Sequence, residues 1–363
     1  MKITKIVITG GPCAGKTTGM NRLLDEFTSR GYAVFYVSET ATDLSIGGIG
    51  PGVLATNLDY QKAQMKLQIE KDKVFDEAAK AVTDRNVLIL YDRGTIDNKP
   101  YMTPEEFAET LEYVGCTEVE LRESYDAVFH LVTAAKGAEA FYTTANNTAR
   151  TETPEEAAAL DDLLIEAWTG HPNFRIIDNS TGFEEKISRL IAEIAAFLGE
   201  PLPMETERKF LISYPDLQKL EALPNCRKVN IVQTYLKASE QAELRIRQYG
   251  ENGNYVYSET YKRAVPDKPG ASVVLDRRIT KDEYLQLLMG ADPLLRPVRK
   301  DRYYLSEDNV YYEIDVYPFW DDRAILEMDL AFEEEKIYFP PRLKVLREVT
   351  GEEEYQDYAL AKR

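Results

Sequence analysis

Residues 10–17 read GGPCAGKT and match the pattern G-x-x-x-x-G-K-[ST]. A short apolar run, Ile3–Thr9, comes directly before them, and an amphipathic segment, Thr17–Arg30, comes directly after. Glycines allow a loop to curl so that successive backbone N–H groups face one anion, and the N-terminus of the following helix adds partial positive charge. A strand, this loop and a helix in that order predict a P-loop, so the first half of the chain is expected to bind a nucleoside triphosphate.

The loop predicts a role for each of its polar side chains. Lys16 should reach the β- and γ-phosphates, and the Thr17 hydroxyl should ligate Mg²⁺. No guanine-recognition motif of the Ras type is evident, so ATP and GTP both stay open as the nucleotide, with Mg²⁺ or Mn²⁺ as the metal. The predicted nucleotide contacts are Gly10, Gly11, Pro12, Cys13, Ala14, Gly15, Lys16, Thr17 and Thr18.

Further candidate catalytic residues follow the apolar runs. Asp92 and Arg93 come after VLILY, where an acid can hold Mg²⁺ or act in catalysis; a plain Asp-Arg-Gly turn is the alternative. Glu39 comes after VFYVS and would orient or deprotonate an acceptor hydroxyl, unless it is simply an exposed acid. Arg150 lies in a polar loop and would either close over the γ-phosphate or remain an ordinary solvated arginine.

The pattern of apolar residues divides the chain near residue 200. From residue 1 to 200, short apolar runs alternate with amphipathic segments, which predicts a parallel sheet with helices on both faces. Gly199, Pro201 and Pro203 then stop the last helix. The predicted strands are Ile3–Thr9, Ala33–Val37, Val87–Tyr91, Ala127–Leu131 and Phe174–Ile177, and the predicted helices are Thr17–Arg30, Tyr60–Thr83, Pro104–Val114, Pro154–Trp168 and Phe183–Leu198.

From residue 204 to 363, apolar and polar residues alternate as in an antiparallel sheet or barrel. A helix is predicted at Lys281–Met289 and another over the C-terminus. The predicted strands are METERKFLI, VNIVQTYLKA, AELRIRQYG, NYVYSETYKRA, VRKDRYYL, VYYEIDVYP and ILEMDLA. Alternate residues of a strand share a face, so each run collects like charges on one side. A charged face of one strand usually points into water. Together, these faces fit a closed sheet that binds phosphates with basic residues and a divalent metal with carboxylates.

The order of these charges resembles the CYTH, or triphosphate tunnel metalloenzyme, superfamily, whose signature E-x-E-x-K stands here at residues 205–209. The resemblance covers nearly all of 204–363 and implies a tunnel of antiparallel strands that binds a triphosphate with one or two metal ions. In hydrolysing members a metal-oriented water attacks phosphorus. One departure is Asp329, where the family usually has a glutamate. The resemblance implies phosphate ligands at Lys209, Arg245, Arg247, Lys262, Lys300 and Arg302, and metal ligands at Glu205, Glu207, Glu313, Asp315, Glu327 and Asp329.

The first half resembles the P-loop group of ATPases and kinases that includes nicotinamide riboside kinases, through the P-loop, Glu39, the Asp92-Arg93-Gly94 turn and the Arg150 loop. The two halves together resemble the TRPL translocation defect protein type, in which a P-loop domain precedes a CYTH domain. The first hypothesis is therefore a P-loop NTPase or small-molecule kinase fused to a metal-dependent triphosphatase. One alternative is a nucleotide-binding switch whose second domain binds an anion without turnover, and another is an adenylate cyclase.

Composition limits the possible ligands. Lys and Arg total 44 against 62 Asp and Glu, a net charge of −18, which argues against general nucleic-acid binding but allows a small anion in a local basic cavity. The three cysteines show no disulfide or zinc pattern. No signal peptide and no membrane span is predicted. The expectation is a cytoplasmic protein that binds a nucleoside triphosphate and a triphosphate or other polyanionic small molecule; a protein partner cannot be predicted.

Overall fold

The computed structural model describes residues 2–139, 153–199, 207–237, 243–264, 272–329 and 337–362. The chain forms two compact units, Met1–Ile191 and Ala192–Arg363. The boundary falls inside the helix Phe183–Leu198, which is described with the first unit because it begins there. Among the described residues, no helix is both long enough and apolar enough to cross a membrane.

The first unit is built around a five-stranded parallel sheet. Its strands are β1 Ile3–Gly10, β2 Ala33–Val37, β3 Val87–Asp92, β4 Ala127–Leu131 and β5 Phe174–Ile177. The strand order is β2-β3-β1-β4-β5, and every neighbouring pair is parallel. The predicted α/β class is confirmed. Strands β1, β3 and β4 are buried along nearly their whole length, as strands covered on both faces are.

The helices of the first unit include all five that the sequence predicts, with ends shifted by less than one turn. Thr103 and Thr153 each begin a helix with a capping box, and a proline follows at the first helical position, so these two helices begin where predicted. The helices are α1 Lys16–Ser29, α2 Thr40–Ile46, α3 Asn57–Lys80, α4 Pro104–Val114, α5 Glu118–Arg122, α6 Pro154–Trp168 and α7 Phe183–Leu198.

Two short helices, α2 and α5, and a 3-10 helix at Thr95–Tyr101 do not appear in the sequence-based prediction. Each spans only one or two turns, which is too short for a helical period of apolar residues to show. Helix α2 changes the expected position of one candidate site residue, Glu39. Strand β2 ends at Val37, and Glu39 is the residue that precedes α2, so Glu39 lies at a helix start rather than on the strand.

The second unit is built around a nine-stranded antiparallel sheet, which confirms the predicted class. Its strands are β6 Glu207–Ser213, β7 Cys226–Leu236, β8 Glu243–Glu251, β9 Asn254–Ala264, β10 Ser272–Ile279, β11 Val298–Glu307, β12 Val310–Val316, β13 Arg323–Asp329 and β14 Val345–Glu348. The order is β10-β9-β8-β7-β11-β12-β13-β6-β14, so the described pairings leave β10 and β14 at the two edges. The helices are α8 Leu217–Glu221, α9 Lys281–Leu287 and α10 Asp357–Leu360.

The prediction of one helix over the C-terminus is wrong for Val345–Glu348, which forms β14 and pairs antiparallel with β6. A strand forms here because it gives hydrogen-bond partners to the backbone groups on the outer edge of β6, which a helix could not do. Gly351 then turns the chain with a φ of 77°, and regular α-helix is restricted to Asp357–Leu360. Strand β10 was also missed.

Around β6, β12 and β13, both faces of the second sheet are buried, which the alternating sequence does not reveal. On one face Ile212, Ile314 and Leu326 belong to an apolar cluster. On the other face Leu211 and Ile325 pack with residues of the C-terminal segment. Alternate residues of a strand share a face, so the charged residues in line with Leu211 and Ile325 point toward the interior of this unit. The expectation that a charged face points into water therefore fails here.

Candidate functional site

Two peptide units in the middle of the P-loop, Pro12–Cys13 and Cys13–Ala14, are held with their carbonyls on one side and their N–H groups on the other. Thr133 Oγ1 donates to the carbonyl of Pro12, and the backbone N–H of Ala134 donates to the carbonyl of Cys13 at 3.4 Å. The C=O and N–H of one trans peptide unit point in opposite directions, so the N–H groups of Cys13 and Ala14 face away from these partners. Such a row of N–H groups can bind an anion.

Two glycines of the loop occupy positions that a side chain would not tolerate. A Cβ on Gly10 would lie 2.1 Å from the carbonyl oxygen of Leu131, and a Cβ on Gly15 would lie 2.5 Å from the ring of Phe183. Gly15 also has a φ of 91° where it precedes α1. Thr17 and Thr18 follow in the first turn of α1 with exposed positions, so the Thr17 hydroxyl is available to a metal ion.

Lys16 lies against its own loop. Its Nζ donates to the carbonyls of Gly10 at 2.7 Å and Gly11 at 3.0 Å. Burial, together with the positive charge of Arg93, lowers the pKa of Lys16 to about 8, although Asp92 raises it. A lysine that is partly desolvated and held by neutral carbonyls can exchange these partners for phosphate oxygens.

Three of the predicted catalytic residues lie together beside Lys16. Arg93 Nε donates to Glu39 Oε1 at 2.6 Å, and Tyr36 donates to Asp92 Oδ2 at 3.3 Å. Burial favours a raised pKa for Glu39, but Arg93, the Thr42 hydroxyl and Lys16 together hold the pKa below its ordinary value. Burial raises the pKa of Asp92, and Lys16 opposes that shift. Glu39 is thus an ionised carboxylate, while Asp92 is a carboxylate that a nearby cation would stabilise.

The turn after β3 is strained and is fixed by Asp97, which the sequence analysis did not single out. Arg93 has a φ of 72°, which is costly for a residue with a side chain. The buried carboxylate of Asp97 accepts from the backbone N–H of Gly94 at 2.6 Å and from Thr9 Oγ1. Asp97 Oδ1 also lies 3.7 Å from Arg93 Nη1. Asp97 therefore fixes the direction in which Arg93 leaves the strand.

On the second sheet, strand register places the predicted residues on one face. Lys209 is directly opposite Glu327, and Glu327 is directly opposite Glu313. Arg302 is directly opposite Asp315. Directly opposed residues of antiparallel strands share a face, so side chains from β6, β13, β12 and β11 converge. We call this set the charged face; its described members are Glu207, Lys209, Arg245, Arg247, Lys262, Lys300, Arg302, Glu313, Asp315 and Glu327.

Cations and carboxylates of the charged face neutralise one another. Arg302 contacts Asp315 through two bonds of 2.6 Å and also contacts Glu313 and Glu327. Lys209 Nζ lies 2.5 Å from Glu327 Oε1. Burial favours a raised pKa for Glu327, but Lys209 and Arg302 hold it well below the ordinary value. This part of the face carries many charges but little net charge. Phosphate or a metal ion could replace one partner in these ion pairs.

The remaining predicted phosphate ligands lie on β8 and β9. Arg247 Nε donates to Gln233 Oε1 at 2.9 Å, so its described partner is neutral. Arg245 is buried, and Lys262 is directly opposite Glu243. The charged face thus has a balanced part on β6 and β11–β13, and it continues on β8 and β9 with Arg245, Arg247 and Lys262.

Asp357, which the sequence did not point to, contacts the charged face from the C-terminal segment. Its carboxylate accepts from Lys300 Nζ at 3.0 Å and from the hydroxyl of Tyr317 at 2.7 Å, and Lys300 also contacts Asp315 at 2.5 Å. Asp357 lies in α10, 57 residues after Lys300 in the chain, so no strand spacing could have pointed to it. The C-terminal segment therefore contributes a charge to the site.

Arg150 and Glu205 lie outside the described residues, as does the side chain of Asp329. The roles predicted for these three residues stay predictions. The same holds for a complete E-x-E-x-K face, of which Glu207 and Lys209 are described, with Lys209 Nζ 3.2 Å from Glu207 Oε1.

The two sites differ in how they fit a metal ion. Among the described residues, no group of three or more His, Cys, Asp or Glu side chains is arranged to hold an ion. On the charged face Arg302 takes up carboxylate oxygens that an ion would need, so an ion there would require its displacement or ligands outside the described ranges. In the first unit, Asp92 Oδ1 has no hydrogen-bond partner among the described residues, and the exposed Thr17 offers a second hard oxygen to an ion.

The P-loop, the parallel sheet and the acids beside Lys16 agree with a comparison to protein families. A family profile described as "AAA domain" matches residues 5–186, just over half of the chain. The chain belongs to this AAA-domain family. The AAA domain thus spans α1, the Asp92–Arg93 turn and α6. No curated protein matches the chain.

Solved structures similar to this chain match less than half of it. The hypothetical protein NE1496 and the inorganic triphosphatase NE1496 are each 25% identical over 44% of the AAA-domain chain, covering 98% and 95% of their own chains, with TM-scores of 0.31 and 0.30. The PH1819 protein from Pyrococcus horikoshii OT3 is 21% identical over 35% of this chain and 80% of its own, with a TM-score of 0.28.

Proposed function

We propose that the AAA domain binds a nucleoside triphosphate with Mg²⁺ and transfers or releases its γ-phosphate. The observation that supports this most is the convergence of Lys16, Glu39, Asp92 and Arg93 beside a row of outward N–H groups. Lys16 would leave its loop carbonyls for the phosphates, and Asp92 with Thr17 would hold the metal, which neutralises phosphate charge. Glu39, kept ionised by Arg93, would accept a proton from an acceptor hydroxyl or water.

We further propose that the second unit is a CYTH-type domain whose charged face binds a triphosphate, inorganic or nucleoside, and hydrolyses it with Mg²⁺ or Mn²⁺. Phosphate oxygens would replace the carboxylate partners of Lys209, Lys300 and Arg302, with Arg245, Arg247 and Lys262 as further ligands. The carboxylates released in this way, with Glu205 and Asp329, would hold the metal that orients the attacking water. The support is the buried, balanced face and the order of its motifs.

Both proposals combine into one cytoplasmic, phosphate-handling protein of the P-loop–CYTH type, with a nucleoside triphosphate and a second triphosphate as its ligands. The test is phosphate release from tripolyphosphate, ATP and GTP with Mg²⁺ or Mn²⁺. Wild type is compared with Lys16→Ala and with Glu205→Gln/Glu207→Gln. The matched control is Glu353→Gln/Glu354→Gln, which changes two exposed carboxylates of the same unit.

We expect tripolyphosphate cleavage to survive Lys16→Ala and the control but to disappear in Glu205→Gln/Glu207→Gln. Loss of nucleotide cleavage only in Lys16→Ala would assign that activity to the AAA domain. Unchanged turnover in a protein carrying all three site substitutions would refute the proposal. Tight nucleotide binding without turnover in any protein would favour the switch, and cyclic AMP with pyrophosphate from ATP would indicate a cyclase.

A further inference from the structure

A buried carboxylate outside the P-loop signature contacts the start of the loop. Asp161, on α6, accepts at Oδ1 from the backbone N–H groups of Gly11 at 2.9 Å and Thr133 at 3.1 Å, and from His130 Nε2 at 3.0 Å. Its Oδ2 accepts from Lys136 Nζ at 3.1 Å. Burial favours a raised pKa for Asp161, but His130 and Lys136 hold it well below the ordinary value. Asp161 is therefore an ionised acceptor directly behind the loop.

The hydrogen bond from the Gly11 N–H to Asp161 determines where the Lys16 side chain lies. The N–H of Gly11 points to Asp161, so the carbonyl of the same peptide unit, that of Gly10, points the opposite way. That carbonyl is the nearer acceptor of Lys16 Nζ, at 2.7 Å. Asp161 also leaves no room for a side chain at Gly11, where a Cβ would lie 2.8 Å from Asp161 Oδ1. The carboxylate thus fixes both the first peptide of the loop and the position of its lysine.

A buried cation contacts the other end of the loop. Lys186, on α7, donates to the carbonyl of Ala14 at 3.3 Å, to that of Val132 at 2.7 Å and to Asn179 Oδ1 at 2.7 Å. Its contact with the Ala14 carbonyl directs the N–H of Gly15 to the opposite side of the loop. The N–H groups of Cys13 and Ala14 already face that side. Lys186 thus extends the row of outward N–H groups by one.

We propose that Asp161 and Lys186 are positioning residues that clamp the two ends of the P-loop and preform its anion-binding row. The inference rests on the proposed function, nucleotide binding at this loop. Aligned N–H groups repel one another until an anion arrives, so a loop without support would relax away from the binding geometry. An anion behind one end and a cation behind the other hold the peptide units in place beforehand. Binding then needs less ordering, which raises affinity.

The test uses the full chain and MgATP as the probe. Asp161→Asn preserves shape and removes charge, and Lys186→Met removes the donor. Calorimetry gives the dissociation constant, phosphorus NMR gives the β-phosphate resonance of the bound nucleotide, and urea unfolding gives stability. Asp162→Asn is the matched control, because Asp162 is the exposed neighbour that shares Lys136. Leu164→Ala is a second control, because Leu164 is buried on the same helix and its truncation destabilises the fold without removing a charge or a hydrogen bond.

We expect Asp161→Asn and Lys186→Met each to weaken MgATP binding about tenfold or more and to shift the β-phosphate resonance, while Asp162→Asn and Leu164→Ala keep wild-type affinity. Wild-type affinity in both clamp variants, while Lys16→Ala loses binding, would overturn the clamp alone. The clamp would also be overturned if Leu164→Ala and Asp161→Asn had equal free energies of unfolding and lost the same amount of MgATP affinity. If Lys16→Ala also bound MgATP normally, the nucleotide site would be refuted and the clamp with it.

Discussion

The P-loop and the charged face both gather groups suited to polyphosphates, but they draw on different parts of the chain. The P-loop uses backbone N–H groups of consecutive residues, and its direct neighbours fix their direction from behind. The charged face uses side chains from six strands, brought together by register. A backbone site needs few particular side chains, whereas a face of mutually neutralised charges depends on every partner. Substitutions should therefore affect the two regions differently.

The largest effect is expected where one cation serves several buried carboxylates. Replacing Arg302 by Met would remove the guanidinium that contacts the carboxylates of Glu313, Asp315 and Glu327. An uncompensated buried charge typically costs about 3–5 kcal/mol. We expect the second unit to lose about that much stability, measured by hydrogen–deuterium exchange of peptides from β11–β13, while peptides of the first unit keep their protection.

The control for this substitution is Arg208→Met. Arg208 pairs with Glu348 on partly exposed positions, where an ion pair is worth about 1 kcal/mol or less. Equal losses in Arg302→Met and Arg208→Met would contradict the view that the charged face is a buried, interdependent network.

In the first unit, the carboxylate of Asp72 has no cationic hydrogen-bond partner among the residues that the structure describes, and this sharpens the contrast with the charged face. Asp72 is buried and accepts from the Tyr125 hydroxyl at 2.9 Å. Burial raises its pKa from 3.8 to about 7. The folded protein therefore keeps a proton that the unfolded chain has already lost, and folded stability falls as the pH rises from about 4 to about 7. Cations lower the pKa of Glu327, so its contribution to folded stability increases as the pH rises.

Asp72→Asn should remove this pH dependence. Relative to wild type, the free energy of unfolding of the first unit should rise by about 3 kcal/mol between about pH 5 and pH 8. Trp168 in the first unit and Trp320 in the second are the only tryptophans, so Trp168 fluorescence in a Trp320→Phe protein reports urea unfolding of the first unit. A constant difference between Asp72→Asn and the Asp72 parent across this range would show that Asp72 is ionised in the folded state.

The smallest effect is expected from a single hydrogen bond to the loop backbone. Thr133→Val keeps the shape and removes the donor to the Pro12 carbonyl. A hydrogen bond of this kind contributes about 1 kcal/mol, so MgATP affinity should fall about fivefold in calorimetry. Thr110→Val, which removes the bond to Glu106 on α4, should leave the affinity unchanged. No change in Thr133→Val would indicate that the loop keeps its geometry without this support.

The sequence predicted the fold class of both units and most long elements, because periodicity and caps such as Thr103 and Thr153 are local signals. It failed at α2, α5 and β14, which are short or decided by a neighbouring edge strand. It also failed at β10, an edge strand whose three consecutive charged residues, 276–278, interrupt the alternation. It also missed Asp97, Asp161, Asp357 and Lys186. Each is an isolated charged residue without a motif, and its importance follows only from what lies across the fold.

By itself, the sequence determined where phosphate chemistry could occur. Glycine spacing in residues 10–17 and alternating charges after residue 204 reflect backbone geometry and the two-residue period of a strand. The tertiary structure decided which charges meet and in what state. Burial raises the pKa of Asp92, Arg93 keeps Glu39 ionised, and Arg302 lies between carboxylates from two strands. Such properties depend on distance and desolvation, which no local pattern of residues encodes.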